Sequence, residues 1–109
     1  MSIKEIIDKC STLEVKEQRT LSEDYCELVF FNKDESQWQK TLSEFLGPAV
    51  KPAGKEPSPR DEAVTEEFGG IFPNQTLFQK ETQDALMLAM FWPWQDKVHI
   101  TLKIALLKP

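Results

Sequence analysis

Few residues of this sequence could carry out chemistry. His99 is the only histidine, which argues against an imidazole-rich metal site and against the usual arrangement of nucleophile, base and orienting group. Glu27 is unusual because it occurs inside the apolar stretch Tyr25–Phe31, and a buried carboxylate needs a cation or a hydrogen-bond donor. Lys103 or His99 can supply this partner if the strands are neighbours, and the pair could then act as an acid–base couple. The alternative is that Glu27 lies at a strand end in water.

The string Phe91-Trp92-Pro93-Trp94 is the second unusual feature. Aromatic residues at a hairpin bend are typical of binding surfaces, because tryptophan brings a large contact area at low entropic cost, but they also close the end of a small core. We expect Trp92 to be buried and Trp94 exposed. The residues that we predict to bind a ligand or partner are Tyr25, Glu27, Trp38, Phe91, Trp92, Trp94, His99 and Lys103.

Other candidate motifs fail on spacing or have a simpler explanation. Gly54-Lys55 is followed by Glu56, where a phosphate-binding loop needs a hydroxyl residue. Glu62, Glu66 and Glu67 recur at helical spacing, which a solvated helix face explains as well as a cation site does. Cys10 and Cys26 have neither metal nor disulfide spacing and are predicted to be buried thiols. We therefore predict no catalytic residue, no metal and no cofactor.

Composition limits the class of protein. The 109 residues predict one domain spanning 1–109, with 40% apolar residues, as in ordinary globular proteins. A net charge of −5 disfavours nucleic acid, which is bound by clustered lysine and arginine. No apolar run approaches the roughly eighteen residues of a membrane span, and acidic residues interrupt the start where a signal peptide would be apolar. We expect a soluble cytoplasmic protein.

The elements that must position the candidate residues are clearest toward the carboxyl end. An antiparallel β-meander is predicted, with strands Thr76–Glu81, Ala85–Trp92 and Val98–Leu107. Apolar residues alternate with polar ones in the last strand, the pattern of a sheet that is dry on one side. The rival interpretation is one long helix over Gln75–Phe91. Against it, six polar residues precede eight apolar ones, and such a helix would have no apolar stripe.

The amino-terminal half combines helices with one buried strand. Ser2 to Glu5 has the form of a capping box, which predicts a helix start. Tyr25–Phe31 is predicted to be a strand near the middle of the sheet. Asp34 is expected to cap a second helix that ends at Gly47. The segment 13–24 fits either strand or helix and stays unassigned.

Proline dominates the segment 47–58, which we predict to be an extended, mobile loop, either a plain connector or a contact loop. Ser58 followed by Pro59 then predicts a short helix that runs to Phe68.

The order of these elements predicts an α+β fold, a two-layer sandwich with helices on one face of a mostly antiparallel four-stranded sheet that ends in the meander. Apolar residues occupy both sides of Ala85–Trp92, more than one covered face can bury. We therefore predict a non-catalytic interaction module that forms a homodimer or binds a protein partner through an apolar sheet face.

Two alternatives for the function stay open. One is a small-molecule pocket between sheet and helices, near Trp38, Tyr25, Trp94, Glu27 and His99. The other is an acidic inhibitor or immunity-type protein whose helix around Glu62–Glu67 binds a basic partner.

Overall fold

The computed structural model describes residues 2–108, which form three α-helices, two 3₁₀ helices and one sheet of five antiparallel strands. The helices are α1 (Ile3–Lys9), α2 (Glu35–Leu46) and α3 (Pro59–Thr65), with 3₁₀ turns at Asn32–Asp34 and Glu66–Phe68. The strands are β1 (Val15–Leu21), β2 (Tyr25–Phe31), β3 (Thr76–Glu81), β4 (Leu86–Pro93) and β5 (His99–Leu107). Their order in the sheet is β1-β2-β5-β4-β3. The α+β class and the antiparallel sheet are confirmed, whereas the predicted count of four strands is wrong because β1 lies in the segment left unassigned.

Local capping explains where the helices begin. The Ser2 hydroxyl accepts a hydrogen bond from the Glu5 amide at 3.1 Å, which satisfies one of the free donors at the start of α1. In α3 the Ser58 hydroxyl and the Asp61 carboxylate bond each other's backbone amides, and Pro59 occupies the first helical position. Asp34 precedes α2 as predicted, but its side chain makes no capping bond and binds Lys33 instead.

The meander forms as predicted, and the long-helix interpretation of Gln75–Phe91 is wrong. Strands β3 and β4 are joined by a tight turn in which the Thr82 amide donates to the Ala85 carbonyl at 2.8 Å. All of β4 then pairs with β5. Successive residues of β4 point to opposite faces of the sheet, which accounts for the unbroken apolar run.

The first face of the sheet packs against α1 and α2. Trp38 of α2 is fully buried there and stacks on Phe30 with ring centroids 4.7 Å apart. Met87, Ala89 and Phe91 of β4 belong to the same cluster. The remaining buried members are Ile3, Ile6, Cys10, Cys26, Leu28, Leu42, Leu46, Phe78, Ile100, Leu102 and Ile104. Both cysteines are free and buried as predicted, and burial raises the pKa of each thiol to about 11.

The second face is also covered, in part, by the chain itself. Val64 of α3 and Phe68 pack on a cluster formed by Ile71, Leu77, Leu88 and Met90. The prediction of helices on one face only is therefore wrong. Residues Met87–Phe91 of β4 are buried within the chain on both sides of the sheet, and Leu86 and Trp92 are half-buried. The large apolar surplus that motivated a dimer through this face is therefore not present. No helix within residues 2–108 is long and apolar enough to cross a membrane.

The proline-rich segment 47–58 is tied to the sheet, which differs from the predicted mobile loop. Lys51 forms an isolated antiparallel bridge with Leu77 of β3. Its side chain is 1% exposed, and its ammonium group donates to the carbonyls of Pro52, Pro73 and Gln75 at 3.1, 2.9 and 2.5 Å. Burial lowers the pKa of Lys51. Three backbone acceptors replace the water that this ammonium group loses.

Candidate functional site

The second face of the sheet is covered over β3 and β4 but is open over β1, the greater part of β2 and the β4–β5 hairpin. Side chains on this open half are exposed or half-buried, except for Val29 and Thr101, which are buried. We call this surface the open patch, and it consists of Lys16, Glu17, Arg19, Glu27, Phe31, Trp94 and His99. Aromatic and charged side chains are in contact with one another across it.

Two β-bulges in β1 direct its charged residues onto the open patch. The pairing of β1 with β2 is irregular between Val15 and Glu17 and again between Gln18 and Thr20. A bulge places two residues of one strand opposite a single residue of its partner, so it can turn an extra side chain toward one face. Lys16 and Arg19 are the two extra residues, and both contact second-face side chains.

Arg19 neutralises the carboxylate that is unusual in the sequence. Its guanidinium binds Glu17 at 2.6 Å and Glu27 at 3.3 Å. The Tyr25 hydroxyl donates to the other Glu27 oxygen at 2.7 Å. This hydrogen bond, assisted by Arg19 and Lys103, holds the pKa of Glu27 below its ordinary value despite partial burial. Glu27 therefore stays ionised, and a carboxylate with a lowered pKa is a weak general base at neutral pH.

Trp94 lies at the centre of the open patch. Its indole Nε1 donates to the Thr101 hydroxyl at 2.8 Å, and this bond fixes the ring on the sheet. The ammonium of Lys16 and the guanidinium of Arg19 lie 5.8 and 5.7 Å from the ring, within range of cation–π attraction. The centroid of the His99 ring lies 4.7 Å from that of Trp94. Trp94 is thus a half-buried aromatic ring in contact with two cations and with His99.

His99 is held by the turn that connects β4 to β5. Its Nδ1 lies 2.6 Å from one oxygen of Asp96. The other oxygen accepts from the amides of Val98 and His99 at 2.8 and 3.0 Å. The ring contact and these amides lower the pKa of Asp96 to about 2. His99 also packs on Phe31, 5.5 Å between ring centroids, so its ring is a fixed wall of the patch.

Lys103 marks the border between the open and covered halves. It is the cross-strand neighbour of Glu27, as the sequence suggested, but its ammonium donates to the Phe68 carbonyl at 3.0 Å and lies 3.7 Å from the Trp92 ring. Burial lowers its pKa, and the charge of Glu27 opposes this effect. Trp92 packs closely against the backbone of Gly69. Only glycine permits this packing, because a Cβ atom at this position would lie 2.7 Å from Cη2 of Trp92.

The structure brings most of the predicted site residues together. Six of them, Tyr25, Glu27, Trp92, Trp94, His99 and Lys103, lie on the second face. Trp38 and Phe91 do not, because both are fully buried in the cluster on the opposite face. The predicted small-molecule pocket that combines Trp38 with Trp94 is therefore not formed.

Sequence reasoning missed Lys16, Glu17 and Arg19. Every residue of β1 is exposed, so the strand has no apolar periodicity to reveal it. One signal was present: Ser22-Glu23-Asp24 has turn composition and immediately precedes a strongly apolar strand, which is typical of a hairpin with a polar first strand.

Within residues 2–108, no three histidine, cysteine or carboxylate side chains come close enough to bind a metal ion together. No family model, no curated protein and no solved structure matches the chain. Its function must therefore be inferred from the open patch and from the other exposed surfaces.

Proposed function

We propose that the protein is a binding module that recognises a protein partner through the open patch. The single observation that carries this proposal is that one half of the second face is left uncovered and holds an oriented tryptophan flanked by Lys16 and Arg19. Tryptophan and arginine dominate the binding energy of protein interfaces, because both give large contacts with little loss of side-chain entropy.

The electrostatics of the open patch support binding more than catalysis. Glu27 has its carboxylate oxygens occupied by Tyr25 and Arg19, and the Lys103 ammonium donates a hydrogen bond to a backbone carbonyl. A charged group that is already paired costs less to desolvate when a partner covers it. Arg19 and Glu17 lie at the rim, with side chains 40% and 54% exposed, where they set orientation and association rate.

The experiment uses the full chain as immobilised bait with an extract of its source organism. Trp94→Ala and Arg19→Ala remove the central ring and one bordering cation. We expect these variants to lose the partner that the unmodified chain retains. The control is Phe72→Ala, because Phe72 is 53% exposed and lies outside the open patch. If the retained proteins are the same for all four baits, the open patch is not the binding surface.

Protection of Lys16 gives an independent readout. Reductive methylation followed by mass spectrometry should show Lys16 modified in the free protein and protected in the complex. Lys55 is exposed in the proline-rich segment and should be modified equally in both. Equal modification of Lys16 with and without the partner would contradict the proposal.

A second candidate is the acidic surface of α3. Glu62, Glu66 and Glu67 are all exposed, and the first two line a shallow concavity with Pro59 and Gly70. The chain also carries a net charge of −5, which favours a basic partner. Glu62→Gln combined with Glu66→Gln tests this candidate in the same experiment. Loss of a salt-sensitive partner from this variant, but not from Trp94→Ala, would favour the acidic surface.

A further inference from the structure

The two edges of the sheet differ in how they end. At β3, the proline-rich segment covers the start of the outer edge, where the amide and carbonyl of Lys51 bond Leu77. At the other edge, β1 pairs with β2 on one side only, and all seven of its residues are exposed. An uncovered edge strand presents backbone donors and acceptors that can pair with another strand. The edge at β1 is therefore the more open of the two to a further strand.

The bulges give β1 a two-fold pattern of faces. Val15, Gln18 and Leu21 pair with first-face residues of β2, whereas Glu17 and Thr20 pair with second-face residues. Lys16 and Arg19 also point to the second face. The order along the strand is thus first, second, second, first, second, second, first. This order reads the same in both directions about Gln18.

The residue types follow the same symmetry. In an antiparallel pair of two β1 strands centred on Gln18, directly opposite residues share a face. Glu17 of each copy then lies opposite Arg19 of the other, so two opposite-charge pairs form across the axis. Val15 lies opposite Leu21, which covers two of the large apolar side chains that are exposed in the single chain, at 40% and 44%. Lys16 lies opposite Thr20, a pair without repulsion.

Several other registers are disfavoured by charge. Centring the pair on Glu17 or on Arg19 places two like charges directly opposite each other. A parallel arrangement places Lys16 near Lys16 and Arg19 near Arg19. Charged residues and bulges generally protect an edge from indiscriminate pairing. A register that sets Lys16 opposite Glu17 also matches the faces, but it pairs only residues 15–18, whereas the register centred on Gln18 pairs all seven residues of the strand.

We propose that a second copy of this chain occupies the edge at β1, through antiparallel β1–β1 pairing centred on Gln18. The two sheets then form one continuous sheet, and the open patches of both copies become contiguous across the axis. This inference goes beyond the proposed function and does not depend on it. Phe31, Trp94 and His99 of the open patch remain accessible, because they lie on β2 and the β4–β5 hairpin, and the pairing involves only the patch residues of β1.

Charge reversal tests the register. In a dimer of the Glu17→Arg variant, an arginine lies opposite Arg19 in both cross-strand pairs. In a dimer of the Arg19→Glu variant, a glutamate lies opposite Glu17 in both pairs. We expect each variant alone to dimerise about tenfold more weakly than the natural chain. An equimolar mixture of the two variants should recover association, because every cross-strand pair is then of opposite charge. Sedimentation velocity from low to high micromolar concentration measures all three samples.

Cysteine cross-linking tests the same register without altering charge balance at the other positions. Residues directly opposite in an antiparallel pair have Cα atoms about 4.5–5.5 Å apart, a distance that a disulfide can bridge. Gln18→Cys should therefore form a disulfide-linked dimer under mild oxidation, whereas Lys16→Cys alone should not. The native thiols of Cys10 and Cys26 are buried and provide little background.

Three results would each overturn the proposal. The natural chain sediments as a monomer at every concentration, the mixture of charge-reversed chains associates no better than either alone, or Gln18→Cys cross-links no faster than Lys16→Cys. Should a charge-reversed variant fail to fold, the cysteine pair still decides the question.

Discussion

Glu27 shows how one residue can be identified from sequence while its partner cannot. A carboxylate inside a largely buried strand is a visible anomaly, and Lys103 is its cross-strand neighbour, as expected. The atoms that bind it nevertheless belong to Tyr25 and Arg19. Tyr25 is two residues away from Glu27 on the same face. Arg19 reaches Glu27 because a bulge in β1 turns the arginine side chain toward the second face of the sheet. A bulge has no signature in the spacing of residues, so Arg19 could be identified as a partner of Glu27 only from the tertiary structure.

The hydrogen bond from Tyr25 predicts a specific acid sensitivity. Because the pKa of Glu27 is lower in the folded than in the unfolded protein, its contribution to stability is complete above the ordinary pKa of glutamate and is lost as the pH falls through the lowered value. We expect Tyr25→Phe to reduce the free energy of unfolding by about 1.5 kcal/mol at neutral pH and by less in acid. Urea denaturation across this pH range measures the effect.

The control for this prediction is the Glu27→Gln background. There the ionised acceptor is absent, so the additional change Tyr25→Phe should cost less and should show little dependence on pH. If Tyr25→Phe costs the same at neutral pH in the natural chain and in the Glu27→Gln background, the tyrosine acts through packing alone. Asp96, whose pKa is also lowered, retains its own acid sensitivity in every variant.

At the scale of elements, the proline-rich segment is held by a short backbone bridge and by one buried side chain, both from Lys51. Its composition correctly predicts the absence of helix and strand, since proline removes backbone donors. The single bridge at Lys51 is not visible in sequence, because a buried lysine is rare and has no periodic pattern. Its ammonium group serves three carbonyls from two separate parts of the chain, and so joins this segment to the start of β3.

Lys51→Met tests that role. Methionine preserves most of the apolar stem but removes the ammonium donor from the carbonyls of Pro52, Pro73 and Gln75. The first two keep a backbone donor, from Lys55 and Gly54 respectively, so the Gln75 carbonyl is affected most. We expect a loss of about 3 kcal/mol in the free energy of unfolding, measured by urea denaturation. Lys55→Met is the matched control, because Lys55 is exposed in the same segment and its replacement should change stability by less than about 0.5 kcal/mol. Equal effects of the two changes would contradict the anchoring role.

The strands differ in how far sequence could locate them. Strands β2 to β5 carry apolar residues in runs or alternation, because each buries at least one face. Strand β1 buries none of its seven residues, and its charged side chains are equally compatible with helix or loop. It is also the element that supplies Lys16, Glu17 and Arg19 to the open patch and forms the free edge of the sheet.

At the scale of the whole molecule, the covering of both sheet faces changes the expected interface. The apolar count of β4 correctly indicated two dry faces, but α3 and the segment after it cover the second one over β3 and β4. The surface left for interaction is therefore polar and aromatic, located over β1 and β2. The position of α3 on the second face is set by the path that the chain takes after the proline-rich segment.

Two methionines of β4 test this arrangement. Met87 is buried against α1 and α2, and Met90 against the residues around α3. We expect Met87→Ala and Met90→Ala each to reduce the free energy of unfolding by about 2–4 kcal/mol, measured by urea denaturation of the monomer at low concentration. Val98→Ala is the control, because Val98 is 49% exposed, and it should have little effect. A neutral Met90→Ala would mean that α3 does not cover the second face.

Sequence alone determined what depends on neighbours along the chain: the caps of α1 and α3, the meander, the buried strand β2 and the burial of both cysteines. These follow from hydrogen bonds and apolar periodicity within a few residues. Tertiary structure alone decided which faces are covered, how Lys51 joins two segments, and which residues form the open patch. Those features depend on contacts between distant segments and on two bulges, whose energies are set by packing and leave no periodic pattern in the sequence.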